Sequence, residues 1–435
     1  MSPTNSPGTE GAVIRQRPRF FYGWVIVGVA FLCEAVAFGA GHASFAVFLQ
    51  PMSDDLGWNR TVLSGAVAVQ SLVNIMVTPL MGVMLDRYGP RVIMVMGACV
   101  AAVSYLLMGA VSEPWQFYVL FTLATALGLN ELGNLVTSTT VAKWFVRRRG
   151  RALALSSIGL NVGAVVLTPS VAVLIGVAGW RSTWTILGFL VAGIVIPCAF
   201  LFRRTPEDMG LLPDGDTEPV GPRSPGMAAP SSEKSWQLAE ALRQPTTWIL
   251  VMAFNLVGLV ASGLNQHTVA YLKDTGLSLV EAASVFAFSH VITIGAKVLW
   301  GTISDRIPVR YCLTASNLFR VVGLWSLLII PGSWGLYGFV LGTGMGQGLG
   351  LLQPKIWADY YGRTFLGTIR GVLHPFSVIA NVAGPLFAAY VYDLTQDYTL
   401  AFWAFSASAC ASAVLAFVAR PPVHPSARIA TRGHA

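Results

Sequence analysis

The sequence predicts an all-α membrane protein of about twelve transmembrane helices in two six-helix halves. Three observations predict it. The 435 residues are 54% hydrophobic and only 11% charged, with a mean hydropathy of +0.63, which is more apolar surface than a soluble core can hide. Apolar stretches of about 20 residues, the length a helix needs to cross a hydrocarbon core roughly 30 Å thick, recur along the chain. They fall into two groups of six separated by one polar gap.

Spans are expected near 21–49, 61–85, 91–111, 115–141, 150–176 and 182–202, then near 246–272, 280–303, 309–331, 335–356, 367–391 and 398–419. The N-terminal half is thus 21–202 and the C-terminal half 246–419, with tails at 1–20 and 420–435. The gap at 203–245, "RRTPEDMGLLPDGDTEPVGPRSPGMAAPSSEKSWQLAEALRQP", is rich in Pro, Gly, Ser and charge, and reads as a linker. Its end, "SWQLAEALRQP", is either a loop or a short interfacial helix with Trp236, Leu238, Ala241 and Leu242 near one face.

Orientation follows from Lys and Arg, which collect in short cytoplasmic loops. With the N-terminus inside, Arg15, Arg17, Arg19, Arg87, Arg91, Lys143, Arg147 to Arg149, Arg151, Arg306, Arg310, Lys355, Arg363 and Arg420 are all cytoplasmic, and only Arg60, Arg181 and Lys273 remain outside. Both termini are then cytoplasmic. This asymmetry accounts for the formal charge of +8, so no nucleic-acid partner is implied. No small-residue cleavage site follows the first apolar run, so no cleaved signal peptide is expected. Cys33, Cys99, Cys198, Cys312 and Cys410 lie in or beside spans without metal-ligand spacing, and neither a metal nor a cofactor is expected.

An internal repeat is the most specific signal. "GVMLDRYGPR" at 82 and "GTISDRIPVR" at 301 match at one offset, pairing Gly82, Asp86, Arg87 and Arg91 with Gly301, Asp305, Arg306 and Arg310. Each copy joins the second and third spans of its half. Glycine at the membrane edge permits close helix approach, and Asp beside Arg at a helix end can engage a neighbouring helix terminus. Two six-span halves carrying this loop resemble the major facilitator superfamily, in which these residues govern opening and closing and do not touch substrate. The second copy departs from the pattern, with Pro308 where the first has Gly89.

A narrower resemblance runs through "FYGWVIVGVAF" at 21, "WFVRRRGRALAL" at 144 and the framing of Lys297 four residues before Gly301. These segments look like the branch that contains monocarboxylate transporters and oxalate/formate antiporters. The resemblance implies that a cation on the eighth span, usually Arg, pairs with substrate carboxylate, and Lys297 stands at that position. Lys keeps the charge but loses bidentate geometry. Aligning "GW" with Gly23 and Trp24 places His42 where mammalian members of the branch carry a functional lysine. A histidine titrates near neutral pH and so suits proton coupling.

Read without the family, Lys297 is a costly cation in a span, and such residues face the bundle interior or water. His290, Thr293 and Lys297 stand at i, i+3 and i+7 on one stripe, which extends a substrate site; the alternative is a snorkelling or structurally paired lysine. Glu34 lies eight residues before His42, and Glu131 sits within the fourth span; with His42 they are the proton-coupling candidates, internal pairing being the alternative. Asn130, Asn134, Gln347 and Asn381 are candidates to orient a polar substrate or to hydrogen-bond between helices. His374 shares a face with Asn381, His267 sits near the outer end of the seventh span, and Arg320 on the ninth reads as a structural or headgroup contact.

Enzyme motifs such as HExxH and GxSxG are absent, and the glycines of 335–352 follow no strand and precede no Gly-Lys-Ser/Thr. The expectation is a monomeric, multi-pass secondary transporter of the cell membrane, a bacterial inner membrane, with substrate a small organic anion of monocarboxylate type. Symport with protons or anion exchange would drive it by alternating access between the halves. The alternative is proton-coupled efflux of a hydrophobic or cationic compound.

Overall fold

The computed structural model describes residues 20–58, 60–129, 135–216 and 236–422. Among these, nine helices are long and apolar enough to cross a membrane. One of them, Arg149–Leu201, runs for 53 residues, about 80 Å at 1.5 Å per residue, far beyond one bilayer. It turns at Gly179, whose φ of 76° only glycine adopts readily, and so supplies the fifth and sixth spans. The fourth span is assembled from Pro114–Thr122, a π segment Leu123–Leu129 and Val136–Trp144. The tenth is Ser333–Met345 and Leu349–Tyr361 around an interruption at 346–348. The remaining spans are the first (Gly23–Ala37, continued by Phe38–Ala43 and Ser44–Leu56), second (Arg60–Tyr88), third (Pro90–Met108), seventh (Pro245–Asp274), eighth (Leu279–Ser304), ninth (Val309–Ile329), eleventh (Leu366–Thr395) and twelfth (Thr399–Val418). The total is twelve, six on each side of the linker.

Large apolar side chains such as Met76, Val165, Phe189, Trp334 and Leu386 stand more than half exposed, as suits helices whose outer faces meet lipid tails. Inside, small residues set the spacing. Gly163 of the fifth span lies against the first, where an added Cβ would come within 2.0 Å of the Ala35 carbonyl. The breaks in the helices are satisfied from neighbours, as irregular backbone at membrane depth requires. At the tenth-span interruption Arg320 donates to the Gly346 carbonyl at 2.5 Å and to Val257 at 3.2 Å. Trp300 donates to Met345 at 2.8 Å, and Ser316 Oγ accepts from Gly348 N at 3.1 Å. Arg320 is therefore a structural cation, buried to 1% exposure. In the first span Tyr105 donates to the Ala40 carbonyl within the π segment at 3.3 Å.

The two halves do not share one uniform core. A large apolar cluster joins the N-terminal half to Phe254, Trp300, Leu351 and Ile369 of the C-terminal half, at the end of the bundle that carries the repeated motif. Toward the other end the C-terminal half keeps a separate cluster around Val260, Tyr271, Phe339 and Phe402. The halves are thus packed together at the motif end. The linker returns there too: Trp236 donates its backbone N–H to the Tyr361 carbonyl at 3.0 Å, and Leu238–Leu242 forms one short helix.

Gly163→Ala is expected to lower the melting temperature by a few degrees, since overpacking of this kind costs about 1–3 kcal/mol. Gly176→Ala, where nothing lies within 4 Å of the added Cβ, should leave it unchanged in the same detergent unfolding assay.

Candidate functional site

The seal at the motif end is built from helix termini. The first backbone N–H groups of a helix have no partner of their own and carry partial positive charge, so a carboxylate beside them is stabilised. Asp86, at the end of the second span, accepts from the backbone N–H of Gly367 at 3.3 Å and Thr368 at 2.6 Å, and from the Thr368 hydroxyl at 2.9 Å. These are the first residues of the eleventh span, in the other half. Lys143 Nζ, itself buried, completes the site at 2.7 Å from Asp86.

Asp305 repeats the arrangement with the halves exchanged. It accepts from the backbone N–H of Gly150 at 2.7 Å and Arg151 at 3.3 Å, at the start of the fifth span, with Lys355 Nζ at 3.6 Å. Burial pushes the Asp305 carboxyl above its ordinary range, and Lys355 and the two backbone donors oppose the rise. Pro308 in place of Gly89 does not prevent this pairing.

The motif glycines make the approach possible. A Cβ on Gly82 would come within 2.3 Å of the Gly367 carbonyl, and one on Gly150 within 2.3 Å of the Gly301 carbonyl. Further ties surround the seal: Arg149 with Asp359, Arg363 with the Lys143 carbonyl at 2.8 Å, and linker residue Asp214 with the backbone N–H groups of residues 146 to 148. The motif arginines stand at its edge. Arg87 and Arg306 are exposed, Arg91 donates to the Phe200 carbonyl at 3.0 Å, and Arg310 to the Tyr311 hydroxyl at 2.7 Å.

Beyond the seal, a cavity of about 500 Å³ lies between the halves. The first, second, fourth and fifth spans line it from one half, and the seventh, tenth and eleventh from the other. Its polar lining is Gln70, Ser71, Asn74, Thr78, Gln353, Arg370, His374, Ser377 and Asn381. Arg370 is the single charged side chain among the described lining residues. Its guanidinium is buried and donates across the halves to the hydroxyls of Ser138 at 2.8 Å and Thr139 at 2.7 Å. The preceding residue, Thr137, donates to Glu34 Oε1 at 2.5 Å. Three consecutive hydroxyls of the fourth span thus join a carboxyl of the first span to a guanidinium of the eleventh. Glu34 is fully buried, its Oε2 has no hydrogen-bond partner among the described residues, and Lys297 and Arg370 both act on it electrostatically.

Of the residues singled out from sequence, Asn381 lines the cavity, and so does His374, whose Nδ1 is buried without a partner. Lys297 lies outside the lining. Its Nζ donates to the Ser157 carbonyl at 2.8 Å and to Asn161 Oδ1 at 2.7 Å, both on the fifth span of the other half. Thr293 donates to the Ser289 carbonyl at 2.8 Å, His290 packs edge-on against Phe286, and Gln347 occupies the tenth-span interruption. None of these three is among the lining residues. The backbone of His42 belongs to the first-span π segment, while its side chain, and the whole of Asn130, Glu131 and Asn134, lie outside the described residues. His267 is held inside its own half by Tyr398 at 3.2 Å and the Pro385 carbonyl at 3.1 Å.

Sequence reasoning missed Arg370, Lys143 and Lys355. The signal for Arg370 was present, because Arg370, His374, Ser377 and Asn381 stand at i, i+4, i+7 and i+11, a polar stripe on an otherwise apolar helix.

Two helical halves that meet through reciprocal helix-end contacts and enclose a polar cavity define a membrane transporter. The chain belongs to the Major Facilitator Superfamily, whose model matches residues 30–373. It is 25% identical over 387 residues to the uncharacterized MFS-type transporter YcxA of Bacillus subtilis (87% of this chain, 90% of the relative). It is 23% identical over 317 residues to the oxalate:formate antiporter of Oxalobacter formigenes (73% and 70%), and 24% identical over 423 residues to human monocarboxylate transporter 11 (93% and 84%). The last two lie in the branch that the sequence resembles, and all three are transporters, not enzymes. Among solved structures, the transporter FucP in its outward conformation superposes with a TM-score of 0.67 at 13% identity, covering 92% of this chain and all of that one.

Removing one partner of a buried ion pair costs about 3–5 kcal/mol, so Asp86→Asn should part the halves at the motif end. Spin labels at the exposed positions Tyr88 and Ile307, in a background without the native cysteines, are expected to report longer and broader distances in this variant than in its parent.

Proposed function

We propose that this transporter carries an organic anion through a carboxylate that pairs with Arg370, working by alternating access between its halves. The observation that carries the reading is Arg370 itself, the one charged group among the described cavity-lining residues, placed where the two halves meet. A guanidinium at the cavity offers charge-assisted donors in a planar fork that matches a carboxylate. The names of two relatives, an oxalate:formate antiporter and a monocarboxylate transporter, support the same substrate chemistry.

In this cycle the Asp86 and Asp305 caps hold the motif end shut, and substrate enters from the opposite end. The excess of Lys and Arg on the motif side makes that side cytoplasmic, so the state described is open to the outside of a cell membrane. Glu34 carries the coupled proton: an ionised carboxylate with one oxygen bare of partners in a buried site is costly, and protonation relieves it. Lys297 acts as the switch. Its bonds to Ser157 and Asn161 cross the halves, so they must break when the motif end opens, which frees the ammonium to compete for the carboxylate.

In proteoliposomes with an inward proton gradient, uptake of a radiolabelled small carboxylate should fall at least tenfold in Arg370→Gln and recover in part in Arg370→Lys. If Arg370→Gln transports organic acids as the parent does while amphipathic cations compete for uptake, the reading is wrong and export of a cationic compound replaces it. Glu34→Gln is expected to lose accumulation driven by the proton gradient but to retain counterflow between equal anion concentrations, measured in the same vesicles.

A further inference from the structure

The cavity lining has a direction. On the eleventh span Arg370, His374, Ser377 and Asn381 lie on one stripe, and eleven residues of helix separate its ends by about 16 Å. The second span runs antiparallel beside it, with Thr78 packed at the level of Gly371, where a Cβ on Gly371 would stand 2.9 Å from the Thr78 carbonyl. Asn74 and Gln70, one and two turns further along, therefore climb away from the seal beside His374 and Asn381. Among the described lining residues, charge sits at one end of this track. Past Arg370 the described polar groups are amides, hydroxyls and an imidazole, and Phe254 and Trp357 add apolar surface to the lining, their rings 5.7 Å apart.

Resting on the organic-anion reading, we infer that the substrate is an elongated monocarboxylate bearing hydroxyl or amide groups along its body, with its carboxylate on Arg370 and its tail at Asn381 and Gln70. A two- or three-carbon acid would reach Arg370 but leave the upper amides to water. A short dicarboxylate finds no second cation among the described lining residues, because Lys297 is engaged by Ser157 and Asn161 outside the cavity. A plain fatty acid would cover polar groups without hydrogen-bonding them, at a cost for each one left unpaired. His374 Nδ1 points to the same class, since this buried atom has no partner among the described residues and a ligand hydroxyl one turn from the carboxylate would satisfy it. Gly258 of the seventh span leaves room for the Asn381 amide, which a Cβ there would approach to 3.1 Å.

The test measures binding to the purified full-length protein by thermal shift and titration calorimetry with lactate, succinate, hexanoate, gluconate, quinate and pantothenate. At least one of the last three is expected to bind ten times or more tighter than lactate, succinate and hexanoate, and Asn381→Leu and Gly258→Ala should each reduce that ratio at least tenfold. Arg370→Gln should abolish binding of every acid. If lactate or succinate binds as tightly as the polyfunctional acids, or the two upper variants leave the ratio intact, the elongated-substrate inference is overturned while the anion site stands. If no acid binds the parent, both fall together.

Discussion

The capping of one half's helix by the other half's aspartate is the interaction on which the rest of this structure depends. Asp86 on the start of the eleventh span and Asp305 on the start of the fifth are each buried, paired with a lysine and fed by backbone N–H groups, so both carboxylates keep their charge partners inside the protein. Each cap is possible only because glycines bring backbones into contact, Gly82 against Gly367 and Gly150 against Gly301. The repeat in the sequence is thus a repeat of one physical device. Because both caps lie at the same end, they close that end and leave the cavity between the halves beyond it.

The buried charges above the seal form one chain of contacts. Glu34, Thr137, Ser138, Thr139 and Arg370 link the first, fourth and eleventh spans, and Lys297 separately ties the eighth span to the fifth. Each link between halves is a contact that opening at the motif end must stretch or break. A carboxylate arriving at Arg370 changes the charge balance of this group, and a proton on Glu34 changes it in the opposite sense. In the cycle proposed for this protein the two events are coupled through electrostatics, even where no atom of the substrate reaches the glutamate.

Much of the architecture was legible in the sequence because it rests on local signals. Span length, the polar gap and the Gly–Asp–Arg spacing of the repeat are all read from neighbouring residues, and the family and fold followed from them. The helix interruptions were not legible: π segments at 38–43 and 123–129 and the break at 346–348 arise from packing between spans and leave hydropathy unchanged. For the site, depth was readable and direction was not. Lys297 was recognisable as a deep cation, but its ammonium points to Ser157 and Asn161, which belong to a helix of the other half and carry no sequence signal at position 297. Arg370, four residues into its helix, was not singled out from the sequence, because its place at the cavity depends on fourth-span hydroxyls of the other half.

The most direct measurement is a high-resolution structure, by electron cryomicroscopy with a rigid binding partner, of the protein saturated with an acid that stabilises it. The account predicts carboxylate density within hydrogen-bonding distance of the Arg370 guanidinium, with the Asp86 and Asp305 caps intact and Lys297 still on Ser157 and Asn161. Density for the carboxylate on Lys297, with none at Arg370, would contradict it.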